Sequence, residues 1–154
     1  MTPKRKKQRN HSAPRTGPQP TDAHEVVLYR AQDGTFPADI YLDSVPATIR
    51  ARIRNVAIQV AEAPPSRFAG GGMWEAMHGS MTGWFEIRVD GTPRRTHYRM
   101  FCLLDYKAEG QEKPLLVLVD GRTKQPRTIL SEAEYDSVRA LGEDYFSKQP
   151  RPIG

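Results

Sequence analysis

The stretch Leu115-Leu-Val-Leu-Val119 decides the fold, because it is apolar at every position. A continuous apolar run of this length is expected of a strand that is covered on both faces. Two further strand-like runs precede it, at residues 83–89 and 96–106, and turn signals separate the three runs. The sequence therefore predicts an antiparallel meander, with residues 115–119 inside the sheet.

Upstream of the meander, Glu25-Val-Val-Leu-Tyr-Arg30 predicts a first strand. From Pro37 onward, apolar residues recur every three or four positions, which is the period of an amphipathic helix. Pro46 interrupts this pattern, since proline suits the first turn of a helix but disfavours helical geometry in the residue before it. We expect a short helix, a break near residues 44–45, a longer helix over residues 46–63, and then a loop up to residue 83.

The last element is expected to begin at Ser131, because Ser131 and Glu134 form a capping-box pattern. Val138, Leu141 and Tyr145 continue it at helical spacing. The predicted order is β-α-α-β-β-β-α. This order indicates an α+β domain, with two N-terminal helices and a C-terminal helix packed on one face of a mostly antiparallel, curved sheet.

The chain has 154 residues, which fits one domain, and its formal charge of +5 is unevenly distributed. Residues 1–20 hold six of the 23 basic residues and no acidic one, which leaves 17 basic against 18 acidic residues in the remainder. We predict a flexible basic arm over residues 1–22, a folded domain over residues 23–148 and a tail over residues 149–154. Such an arm either attracts polyanions through counterion release or only aids solubility.

Cellular location follows from the same composition. No apolar stretch approaches the roughly 18 residues that a membrane helix needs, and no apolar segment follows the basic start of the chain. A single cysteine, Cys102, excludes an internal disulfide. We therefore expect a cytoplasmic protein without a membrane partner.

Strand alternation predicts that one face of the sheet carries the candidate functional side chains. In an alternating strand, Trp84, Glu86 and Arg88 share a face, and Arg99 is a charge within an otherwise apolar run. The plain structural interpretation is that Glu86 forms a cross-strand pair with Arg99 or Arg88. A basic loop is expected after residue 119.

Basic residues from these segments are expected to meet in one groove, which favours a polyanion as partner. The candidate contacts with this polyanion are Arg88, Arg94, Arg95, Arg99, Arg122, Lys124 and Arg127, with Trp84, Tyr98 and Phe101 as candidate stacking surfaces for single-stranded bases.

No metal-ligand cluster, phosphate-binding glycine loop or other cofactor motif stands out, so we expect no cofactor. RNA carries its own nucleophile in the 2′-hydroxyl, so a nuclease that works without metal needs a base, an anion stabiliser and a leaving-group acid. Arginine can serve only as the stabiliser, since it stays protonated. The base is left open among His78, His97, Glu86, Lys124 and an ionised tyrosine. Tyr135 is close to the basic loop in sequence, although its register favours packing.

Several motifs occur in an order that resembles the RelE/ParE toxin superfamily, and its HigB-like, phage-derived branch in particular. They are Met77-His-Gly79, Gly83-Trp-Phe-Glu-Ile-Arg88, His97-Tyr-Arg-Met-Phe101, the run at residues 115–119 and Thr123-Lys124 before a C-terminal helix. The resemblance spans roughly residues 25–147. It implies a toxin of a type II toxin–antitoxin system that cuts ribosome-bound mRNA without metal. It also implies a cognate antitoxin, expected to be a helix-turn-helix protein encoded next to it.

The resemblance also assigns roles by position. The arginine of the Tyr-Arg motif falls on Arg99, which would stabilise the phosphorane, and the preceding strand's positions fall on Glu86 and Arg88. The later basic position falls on Lys124 or Arg122, and the C-terminal tyrosine falls on Tyr135. Glu86 stands where RelE-like nucleases can carry lysine, and Thr123-Lys124 stands where paired lysines are common. Two alternatives remain open: a ParE-like gyrase inhibitor without nuclease activity, and a non-catalytic nucleic-acid-binding protein of toxin-like fold.

Overall fold

The computed structural model describes residues 17–68, 72–91 and 95–154. Within them, five strands form one open, mixed sheet in the order β1-β5-β4-β3-β2. β1 is parallel to β5, and the other three pairings are antiparallel, so the predicted mostly antiparallel sheet is confirmed. The strands are β1 (Glu25–Leu28), β2 (Trp74–Ala76), β3 (Phe85–Asp90), β4 (His97–Asp105) and β5 (Leu115–Lys124).

Three helices complete the α+β fold: α1 (Pro37–Ser44), α2 (Ala47–Glu62) and α3 (Glu132–Phe146). The break between α1 and α2 lies at Val45 and Pro46, as the proline rule predicts. At the start of α3, the Ser131 hydroxyl accepts a hydrogen bond from the Glu134 backbone N–H at 3.1 Å. The two consecutive N-terminal helices and the capped C-terminal helix are therefore confirmed.

The helices cover both faces of the sheet, so the expectation that they share one face is wrong. α1 and α2 pack on the face that includes Leu116 and Leu118. Val138 and Tyr145 of α3 pack on the opposite face, which includes Leu115 and Val117. The physical reason lies in β5 itself, because a strand that is apolar on both faces needs a cover on each.

The connection after α2 is more ordered than predicted. It contains the three-residue strand β2 and a 3₁₀ turn at Gly79–Met81, and both were expected to be loop. Three residues are too few for a period-2 pattern to be detected, and β2 is ordered by its pairing with β3. The apolar run at residues 115–119 also predicted a strand shorter than the observed β5.

β5 continues to Lys124 after a register irregularity. Phe101 pairs with Asp120 while Cys102 pairs with Leu118, so Val119 is an extra residue in β5. After this bulge, Gly121 faces α1, where the Tyr41 ring covers it. Arg122 and Lys124 are therefore placed on a strand, on the same face as α3, and not on a loop as predicted.

The C-terminus closes the outer edge of β1. Leu28 and Gly154 exchange two backbone hydrogen bonds, of 3.1 and 3.0 Å, and the Arg30 N–H donates to the Pro152 carbonyl at 2.9 Å. Most of the predicted basic arm, residues 1–16, lies outside the described residues. No helix in the described part of the chain is both long and apolar enough to cross a membrane.

Candidate functional site

Three arginines lie side by side across the sheet. Arg99 of β4 is the direct cross-strand partner of Arg88 on β3 and of Arg122 on β5. Neighbouring strands are about 4.8 Å apart, so their guanidinium groups share one face of the sheet over a short distance. We call Arg88, Arg99 and Arg122 the arginine row. It lies on the face that α3 covers in part.

Carboxylates hold each member of the arginine row. Arg88 pairs with Glu75 at 2.9 Å, and Arg122 pairs with Asp120 at 2.7 Å. Without such partners, three like charges on adjacent strands would repel one another. The acids therefore offset the positive charge of the arginines and fix their side chains in place.

Arg99, at the centre of the row, is only 4% exposed. Its Nη1 donates to Asp90 at 3.2 Å and to the Tyr98 carbonyl at 3.0 Å. Its Nε lies 3.7 Å from Glu86 Oε1, so the predicted pair between Glu86 and Arg99 is confirmed. These contacts hold the guanidinium as a fixed positive charge beside two carboxylates, with little of it open to solvent.

Glu86 is half-buried on β3, beside Arg99. Burial raises the pKa of its carboxyl above the ordinary value, although the charges of Arg99, Arg88 and Lys124 oppose this. Because burial is the largest of these influences, the net shift of the pKa is upward, toward the range in which a carboxylate exchanges protons with a substrate. Glu86 is therefore a candidate general base, with the Arg99 guanidinium beside it.

Tyr135 projects from α3 toward the same face. Its ring meets Phe101 edge to face, with the centroids 6.2 Å apart, so the packing role expected from its register is present. Burial raises the pKa of the Tyr135 hydroxyl, and the nearby charge of Glu86 raises it further. The phenol therefore stays protonated near neutral pH, which makes it a proton donor and argues against an ionised-tyrosine base.

A second row borders the arginine row, formed by Asp90, His97 and Lys124 in direct cross-strand register. His97 Nδ1 lies 2.7 Å from Asp90 Oδ1, the same oxygen that accepts from Arg99. The site thus joins an imidazole and a guanidinium through one carboxylate.

Other predicted site residues lie outside this arrangement. His78 is exposed at the start of the 3₁₀ turn, and Arg95 and Arg127 are exposed at positions of positive φ, 58° and 67°. Among the described residues, no hydrogen bond or ion pair links these three to the arginine row. Arg94 lies outside the described residues.

Trp84 does not fit the stacking role predicted for it. Its side chain is 6% exposed, and its ring lies against Gly142 of α3. Little of the indole face is open to a base. The predicted groove therefore contains fewer residues than the sequence indicated, and Arg88, Arg99, Arg122 and Lys124 lie at its centre.

Sequence reasoning missed the carboxylates that organise the site: Glu75, Asp90 and Asp120. A signal was present for two of them, because Asp90 follows Arg88 by two residues and Asp120 precedes Arg122 by two. Residues two apart on a strand share a face. Glu75 carried no such signal, since β2 itself was not predicted.

Within the described ranges, no group of three or more His, Cys, Asp and Glu side chains is placed to hold a metal ion. Comparison of the chain with protein-family models, with curated proteins and with solved structures gave no match.

Proposed function

We propose that this chain is a HigB-like toxin of the RelE/ParE superfamily, an mRNA interferase that cleaves ribosome-bound mRNA by metal-independent attack of the 2′-hydroxyl. One observation carries the proposal: a buried, preorganised Arg99 stands beside a half-buried Glu86 whose pKa is raised, on a sheet face that also presents Arg88 and Arg122. This is a base next to an anion stabiliser, flanked by phosphate-binding cations.

The proposed reaction is a transesterification. The Glu86 carboxylate takes the proton from the 2′-hydroxyl, and the 2′-oxygen forms a bond to the adjacent phosphorus. The negative charge that develops on the phosphorane is stabilised by Arg99. The bond from phosphorus to the 5′-oxygen then breaks and the leaving 5′-oxygen takes up a proton, which leaves a 2′,3′-cyclic phosphate on one fragment and a 5′-hydroxyl on the other.

The other cations position the RNA. Arg88, Arg122 and Lys124 contact phosphates on either side of the cleaved bond, since Arg88 and Arg122 lie one strand away from Arg99 and Lys124 lies two residues beyond Arg122 on the same face of β5. Phosphate contacts of this kind set register without reading sequence. The cognate antitoxin, proposed as a helix-turn-helix protein from the adjacent gene, and the ribosome are the protein-containing partners that this function requires.

The direct test is to map new RNA 5′ ends across the transcriptome after brief induction of the protein. Three proteins are compared: wild type, Arg99→Ala, and the control Arg54→Ala, whose arginine lies on α2 and pairs with Asp39. Circular dichroism establishes that each is folded. We expect new ends within translated frames for wild type and Arg54→Ala, and a loss of about 100-fold or more for Arg99→Ala.

A folded wild-type protein that generates no new ends would contradict the nuclease proposal. DNA damage without mRNA cleavage would then select the gyrase-inhibiting alternative. Salt-sensitive nucleic-acid binding without toxicity would select the non-catalytic one.

A further inference from the structure

The nuclease scheme needs a group that protonates the 5′-oxygen as it leaves, and the row next to the arginine row contains one. His97 stands on β4 two residues before Arg99, so both side chains lie on the same sheet face. Asp90 faces it from β3 and Lys124 faces it from β5. The His97 side chain is 23% exposed, so it is partly enclosed but open to a substrate.

The hydrogen bond to Asp90 fixes which nitrogen of His97 is available. Burial alone would raise the pKa of the Asp90 carboxyl, but the hydrogen bonds from His97 and Arg99 lower it below its ordinary value. Asp90 is therefore ionised near neutral pH, and a carboxylate only accepts hydrogen bonds. Nδ1 of His97 must carry the proton in the 2.7 Å contact, which leaves Nε2 to exchange a proton with a ligand.

Asp90 also connects this imidazole to the anion stabiliser. A single oxygen, Oδ1, accepts from His97 Nδ1 at 2.7 Å and from Arg99 Nη1 at 3.2 Å. The imidazole and the guanidinium are thereby held at a fixed separation. A proton donor held beside the arginine that is proposed to bind the phosphorane is a candidate for protonating the leaving oxygen of the same phosphate.

We propose that His97 is the general acid of the site, donating the Nε2 proton to the leaving 5′-oxygen, and that Asp90 is the positioning residue that orients it relative to Arg99. This inference rests on the proposed nuclease function. In the balanced step, the proton from the 2′-hydroxyl goes to Glu86 and the proton from His97 Nε2 goes to the 5′-oxygen. The P–O5′ bond breaks as the 2′-O–P bond forms, and exchange with water restores both groups.

The test exploits the need of the leaving group for a proton. Programmed ribosomes carry a synthetic mRNA with either oxygen or sulfur at the 5′-bridging position of the mapped cleavage site. A thiolate leaves without protonation, so a sulfur substrate does not require a general acid. Cleavage rates are measured for wild type, His97→Ala and Asp90→Asn, each first shown to be folded by circular dichroism and thermal unfolding.

We expect His97→Ala to cut the oxygen substrate about 100-fold more slowly than wild type and to recover most of this loss on the sulfur substrate. We expect Asp90→Asn to show a smaller loss with the same rescue, because the imidazole remains but loses the carboxylate that orients it. A purely structural role for His97 would slow both substrates equally.

Two results would overturn the inference, and they are distinguishable. If wild type cleaves but His97→Ala cuts both substrates as wild type does, or loses activity on both equally, His97 is not the acid and the nuclease function stands. If wild type cuts neither substrate, the proposed function fails and the inference fails with it.

Discussion

Glu86 Oε1 and Arg99 Nε lie 3.7 Å apart on neighbouring strands, and Arg99 is almost fully buried. The pair is diagonal, because the direct cross-strand partner of Glu86 is Phe101 and that of Arg99 is Arg88. Both side chains therefore point to the face on which α3 lies. This relationship places a proton acceptor and a fixed positive charge together, which is the basis for the proposed cleavage of RNA.

Replacing Glu86 by Gln tests the base. The variant keeps the size and the hydrogen-bonding oxygen but cannot take a proton, so we expect cleavage to fall by about 10²- to 10⁴-fold. Single-turnover cleavage of ribosome-bound mRNA gives this rate. Retention of wild-type activity in a folded Glu86→Gln protein would show that another group is the base.

The wild-type pH–rate profile tests the environment of the same carboxyl. A general base works only when ionised, and burial raises the pKa of Glu86 above its ordinary value of 4.5. Activity should therefore rise with pH through a midpoint above 4.5, and the Glu86→Gln variant should lack this acidic limb. An acidic limb that persists in the variant would assign the titration elsewhere.

Arg122 tests the phosphate-binding role of the arginine row. Removing one phosphate contact should weaken RNA binding similarly across sequences and lower the salt slope, in log–log form, by about 1. The measurement is the affinity for a short single-stranded RNA at several salt concentrations, for wild type, Arg122→Ala and the control Arg54→Ala. Equal slopes for all three proteins would remove Arg122 from the interface.

Gly121 tests the packing that turns Arg122 toward the site. A methyl group at this position would collide with the Tyr41 ring, whose hydroxyl donates to the Arg122 carbonyl at 3.0 Å. We expect Gly121→Ala to lower the free energy of unfolding by about 1–3 kcal/mol, measured by urea denaturation. Tyr41→Phe keeps the ring and should lose only about 1 kcal/mol. A Gly121→Ala protein as stable as wild type would mean that the ring can move away.

Arg151 tests the attachment of the C-terminal segment. Its Nε lies 2.8 Å from Asp105 Oδ2, and both side chains are under 10% exposed. Arg151→Ala should cost about 3–5 kcal/mol of stability, because the Asp105 charge stays buried without its cation. The pair of the exposed Lys148 with Asp144 gives a control, since Lys148→Ala should cost no more than about 1 kcal/mol. Equal losses for the two variants would contradict a special role for the buried pair.

Local sequence patterns were sufficient to predict most of the helices and strands. The position of Pro46 gave the break between α1 and α2, and the Ser131 cap gave the start of α3, because both are short-range effects. These local patterns did not predict which face of the sheet each helix covers. The position of α3 opposite α1 and α2 depends on long-range packing. The short strand β2 depends on its pairing with the edge of β3.

The candidate site was predictable to a similar extent. Strand alternation placed Glu86 and Arg88 on one face and identified Arg99 as a charge that needs a partner. The bulge at Val119, which aligns Arg122 with Arg99, leaves no clear trace in one sequence. The burial of Trp84 was not predictable either, because the local sequence pattern is the same whether an indole packs under a helix or faces solvent.

The chemistry of the cut ends tests the central claim most directly. Programmed ribosomes are given either a normal synthetic mRNA or one with a single 2′-deoxynucleotide on the 5′ side of the mapped cleavage site. The account predicts a 2′,3′-cyclic phosphate and a 5′-hydroxyl from the normal mRNA, and no cleavage of the deoxy-substituted one at that site. Cleavage of the deoxy-substituted mRNA at the same bond, or fragments with 5′-phosphate ends, would contradict attack by the 2′-hydroxyl.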